Sequence, residues 1–143
     1  MKKIYDYISF FYYLILDKLA KCRLLTKCKV LGIRVGKNLV VKGYPDFYRG
    51  DASSLTIGDN CVFYSRETSN KMGLNHRCIV CTSHDAGLNA KLSIGNNCGF
   101  SGCSIWCFKS ITIGNNVRVG ANTMILDGDA HFNDSRTPPP PKT

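Results

Sequence analysis

"ITIGNNVRVGAN", residues 111–122, places two hexads of one form back to back, with no residue between them. In each, an aliphatic residue (Ile113, Val119) is followed by Gly114 or Gly120, a variable position, and Asn116 or Asn122. Working outward, the hexad recurs as "LSIGNN" (92–97), "LTIGDN" (55–60) and "IRVGKN" (33–38). Counting in sixes from Ile113 reaches Val119 and Ile125, and from Ile94 it reaches Phe100 and Trp106. An apolar residue at every sixth place predicts short flat strands joined by tight turns, an all-β solenoid of the parallel β-helix type. Gly and Asn suit the turns because they tolerate left-handed and tight dihedrals. The residues one place after each Asn, namely Leu39, Cys61, Cys98, Val117 and Thr123, are expected to point inward at cramped corners.

Hexapeptide solenoids take about 18 residues per coil. The hexads starting at 33, 55, 92 and 111 are separated by 22, 37 and 19 residues. These distances read as one coil plus four, two coils plus one, and one coil plus one, with the excess leaving as loops.

The formal charge of +9 belongs mostly to one end: residues 1–42 carry ten Lys/Arg against Asp6 and Asp17, a local +8. The body is left at +1, which argues against a nucleic-acid groove and suits an anionic surface in contact with the basic end. Eight cysteines without regular disulfide spacing or a secretory signal point to a reducing, cytoplasmic setting. Within the first 31 residues, Ile4, Ile8, Phe11, Ile15, Leu19 and Cys22 form one apolar helical face over residues 3–25. The apolar run 8–16 is too short to span a bilayer. The face is expected to pack on the fold or another subunit, or to make peripheral contact at the inner face of a membrane.

On the hexads, together with "GLNHRCIVCT" (73–82), "IGNNCGFSG" (94–102) and "VGANTMILDGDAH" (119–131), the chain resembles the left-handed β-helix, or hexapeptide-repeat, acyltransferases. It is most similar to the sugar and polysaccharide O-acetyltransferases. The resemblance implies a left-handed β-helix acyltransferase domain over 32–143 behind an N-terminal helix in 1–31. It also implies a homotrimer with sites between subunits, acetyl-CoA as acyl donor, and a sugar or glycan hydroxyl as acceptor. In the family a histidine follows a D-x-D-x-H-like stretch on a loop leaving the coil, which corresponds to Asp127, Asp129 and His131. In relatives such a loop leads into further coils that supply much of the donor groove, so a chain ending at Thr143 is expected to be incomplete at that end.

A hydroxyl is a poor nucleophile at neutral pH, and a histidine within hydrogen-bond reach is the base best matched to it. His131 is the candidate. Asp129 is a candidate to orient the imidazole, a role that a backbone carbonyl also fills. Asn75 and His76 are candidates for the acceptor side of the cleft, or serve to close the long loop 63–77. Arg136 is a candidate partner for an acceptor carboxylate or the donor's phosphates, or a solvated arginine. His84 reads as a surface turn residue. "CIVC" (78–81) lacks the second pair a zinc site needs, and its spacing along a strand puts the thiols on opposite faces. The three histidines lack the close pair used by zinc enzymes of this fold, so no metal site is expected. Serine O-acetyltransferase and a non-catalytic β-helix scaffold are the alternative readings.

Overall fold

The computed structural model describes residues 2–84 and 89–128. Among these residues a helix, α1 (Lys2–Val30), leads into twelve short strands. They are β1 (Arg34–Val35), β2 (Val40–Lys42) and β3 (Asp46–Tyr48), then β4 (Ser54–Ile57), β5 (Val62–Tyr64) and β6 (Ile79–Thr82). The next are β7 (Lys91–Ile94), β8 (Gly99–Ser101) and β9 (Ser104–Cys107), and last β10 (Ser110–Ile113), β11 (Arg118–Val119) and β12 (Met124–Leu126). The chain visits three parallel sheets in rotation: sheet A is β1-β4-β7-β10, sheet B is β2-β5-β8-β11 and sheet C is β3-β6-β9-β12. This arrangement is compatible with the coiled architecture expected from the hexads.

Register stacks like on like. Val35, Ile57, Ile94 and Ile113 stand in one row of sheet A. Val41, Phe63, Phe100 and Val119 form a row of sheet B, and Phe47, Val80, Ile105 and Ile125 one of sheet C. Their inward side chains share one core, in which Phe63 stacks on Phe100 at 4.8 Å and meets Phe47 edge-on at 5.0 Å.

The hexad chemistry divides cleanly between its two turn residues. Asn38, Asn60, Asn97, Asn116 and Asn122 all sit at φ between 56° and 61°, the left-handed region Asn tolerates. The hexad glycines do not adopt positive φ. A Cβ on Gly58 would lie 2.6 Å from the Gly95 carbonyl carbon, and one on Gly95 2.7 Å from that of Gly114, so glycine is there for close stacking. The side-chain amides form a ladder, Asn38 donating to Asn60 (3.0 Å), Asn60 to Asn97 (3.0 Å) and Asn97 to Asn116 (3.2 Å). The variable position is used as well: Asp59, Asn96 and Asn115 accept from the backbone N–H of Lys37, Asp59 and Asn96 in the preceding strand layer.

Three expectations are corrected. The 37 residues from Leu55 to Leu92 are one circuit rather than two, because these residues are register neighbours on β4 and β7. The surplus leaves as the loops joining β5 to β6 and β6 to β7. Trp106 faces outward and Ile105 inward, because the corner at Gly102 (φ 45°) uses one residue fewer than the sixfold count. Leu39, Cys61 and Cys98 are buried and Val117 is half-buried, but Thr123 is exposed and its hydroxyl donates to the Gly120 carbonyl.

Helix α1 lies against β1, β2 and β3. Tyr13, Asp17, Ala20, Leu24 and Cys28 face the sheets, with Leu24 and Cys28 in the core. Asp17 ties the helix down: it accepts from Gly43 N–H at 2.8 Å and Arg66 Nη1 at 2.6 Å, with Lys42 Nζ at 3.5 Å. Arg66 also lies over the Tyr13 ring, 4.1 Å from its centroid. The regular face Ile4-Ile8-Phe11-Ile15-Leu19-Cys22 points the other way and is exposed. It therefore does not pack on the body. Among the described residues no helix is long and apolar enough to cross a membrane.

Candidate functional site

The outer faces of the sheets differ. Sheet A presents Arg34, Thr56, Ser93 and Thr112 in one polar row. Sheet C presents Tyr48, Cys81, Trp106 and Leu126, with Phe108 stacked on Trp106 at 5.2 Å. Sheet B is indented by a cavity of about 370 Å³, lined among others by Val62, Tyr64, Gly99, Ser101, Arg118 and Gly120.

Gly99 makes the indentation: a Cβ there would stand 3.0 Å from Arg118 Cδ, so the missing side chain lets the arginine stem lie across β8. The guanidinium donates to the carbonyls of Asn97 and Val117. Phenol, hydroxyl and guanidinium groups over an apolar floor suit a small polar or anionic ligand. The sequence pattern did not single out Tyr64, Ser101 or Arg118, since outward positions converge only once the register is known. The one available signal was Gly99, standing where the neighbouring strand has Val62.

The loop between β5 and β6 reaches the corner at Gly102, next to Ser101 of the cavity lining. Cys78 N–H donates to Ser65 Oγ at 3.0 Å, Asn75 N–H donates to Asn122 Oδ1 at 2.8 Å, and Leu74 and the His76 carbonyl crowd Gly102, next to Ser101. Asn75 thus holds the loop through its backbone. His76 is half-buried, and its Nδ1 lies 2.7 Å from the Arg77 carbonyl oxygen. A carbonyl only accepts, so Nδ1 carries the proton and Nε2 is the basic nitrogen of the neutral ring.

Asp127 is a structural carboxylate. It accepts from the backbone N–H of Phe108 (2.5 Å), Lys109 (2.9 Å) and Ser110 (2.5 Å), closing the corner between β9 and β10. Burial opposes its ionisation, but these donors outweigh burial and hold its pKa below the usual carboxylate value. This corner joins sheets C and A, whereas His76 sits by Gly102, between B and C; Asp127 and His76 are not brought together. Asp129, His131 and Arg136 lie outside the described residues.

The cysteines stack as packing residues. Cys61 and Cys98 are adjacent in the ladder, as are Cys78 and Cys103, and all four are buried. The contact between the two thiols lowers the Cys78 pKa and raises that of Cys103, and burial pushes Cys103 further up. Burial pushes Cys28 and Cys107 up to about 11. A buried thiol held in this way has no path to a substrate. Cys78 points inward while Cys81 points outward, so the "CIVC" thiols lie on opposite faces. None of the family models, curated proteins or solved structures compared with the chain gives a significant match.

Proposed function

We propose that the three parallel sheets are the faces of a left-handed β-helix, and that the chain is a cytoplasmic O-acetyltransferase moving an acetyl group from acetyl-CoA to a sugar or polysaccharide hydroxyl. The observation that carries this reading is the hexad: all five copies place Asn at positive φ, and Gly36, Gly58 and Gly95 stand at closely stacked corners, the pattern expected of a hexapeptide-repeat transferase. Assembly as a homotrimer is supported by the apolar outer row of sheet C, which suits a subunit contact.

In this reading His131 takes the acceptor hydroxyl's proton as the oxygen attacks the thioester carbonyl, then returns it to the departing thiolate. Asp129 or a backbone carbonyl holds the far ring nitrogen. Arg118 and Arg136 supply cations for the donor's phosphates or an acidic acceptor, with Asn75 and the sheet B cavity on the acceptor side.

A second placement of the base is supported by the His76 geometry, whose Nδ1–H is already committed and whose Nε2 is basic. The test is product mass after incubation with acetyl-CoA and candidate glycans. His131→Ala is expected to lower turnover by roughly 10²–10⁴-fold, with His76→Ala affecting mainly KM. Equal turnover by His131→Ala, with collapse of kcat in His76→Ala, transfers the role to His76. Absence of acetylated product from the wild type on every glycan tried counts against the enzyme reading.

A further inference from the structure

We infer that the outward face of α1 seats in the surface of an anionic lipid bilayer, with the helix lying in the membrane plane and the three sheets held above it. At roughly 100° per residue, Tyr13, Asp17, Leu24 and Cys28 fall on one side of the helix and Ile4, Ile8, Phe11, Ile15 and Leu19 on the opposite side. The first group grips the body. The second is 58–65% exposed, and Tyr5, Tyr7 and Tyr12 flank it at 57–71%. At roughly 100 Å² each, eight such side chains expose on the order of 800 Å², beyond the ~300–600 Å² patch usual for the largest on a monomer.

Charge selects the occupant. Lys18 and Lys29 lie on the same side as the apolar stripe and are exposed, whereas Arg23 beside it is turned to the body, its guanidinium over the Tyr44 ring. The helix's acids do not offset them: Asp17 is buried in its ion pairs, and Asp6 lies on the side turned away from the stripe. Parallel pairing with a second copy would set these cations against their equivalents, and antiparallel pairing would leave them without a counter-charge, whereas anionic headgroups attract them. The tyrosines at the margins match the level where amphipathic rings meet headgroups.

Flotation of the full chain with vesicles tests this. Capture by phosphatidylcholine–phosphatidylglycerol vesicles is expected to exceed capture by phosphatidylcholine alone by about tenfold, and to weaken in high salt. The pair Ile8→Asp and Ile15→Asp abolishes capture while far-UV circular dichroism and melting temperature hold; Ile8→Leu with Ile15→Leu keeps capture. No capture by either vesicle, or equal capture of the Asp variant, overturns the proposal. So does a wild-type dimer that ignores vesicles and dissociates in the Asp variant, which assigns the face to a second copy. Vesicle capture needs no acetyl transfer, so this inference and the enzyme reading fail separately.

Discussion

Asp127 opens the D-x-D-x-H-like stretch of the sequence, and its neighbours give it a structural occupation. Three backbone N–H groups converge on one carboxylate, so its value lies in holding the corner at Phe108–Ser110. Asp127→Asn keeps the shape but turns one acceptor oxygen into a donor facing donors. Unfolding free energy is expected to fall by about 1–3 kcal/mol. Because the folded pKa is depressed, the stabilisation is present above the unfolded value near ~4 and is lost as pH falls through the lower folded value. Urea denaturation should therefore show wild type and variant converging as pH falls from about 5 through the lowered folded value. A gap that stays constant over that range would remove the charge from the explanation. Sequence alone does not reveal this role, since the partners are backbone groups 17–19 positions away.

At the scale of the element, the hexad was legible because each of its places answers a local demand. The aliphatic residue fills the core, glycine permits stacking, and Asn supplies the left-handed turn. Asn97 separates two contributions, backbone φ and the amide ladder. Asn97→Ala carries both losses and is expected to cost about 1–3 kcal/mol, while Asn97→Gly relieves the backbone and should cost less than half as much in thermal or urea unfolding. Equal losses would place the whole cost in the ladder bonds to Asn60 and Asn116. The middle circuit was misread for a physical reason. Between Cys61 and Lys91 two loops interrupt the period, and strands β5 and β6 carry no Gly-x-Asn marker; only their pairing with β8 and β9 reveals them. The helix was legible as an element, but its packing side was not: two stripes share the helical period, and the wholly apolar one faces outward while the one interrupted by Asp17 faces in.

For the molecule as a whole, three sheets of equal construction carry three unlike outer surfaces, polar on A, indented on B and apolar on C. Sequence could not assign these surfaces, because inward and outward positions alternate along the short strands of every sheet and only the register sums them into faces. The candidate cavity was invisible for that reason, whereas His76, by the corner at Gly102, was visible as a residue type. The stacking of Trp106 on Phe108 has an optical consequence. Trp106 is the chain's only tryptophan, 42% exposed in the middle of the row on sheet C, so all indole emission originates on one face. If subunits meet through sheet C, iodide should quench this emission strongly in dilute protein and weakly once the oligomer forms; quenching independent of concentration would send the subunit contact elsewhere. The chain thus contains its own fluorescent gauge of assembly, readable without a label.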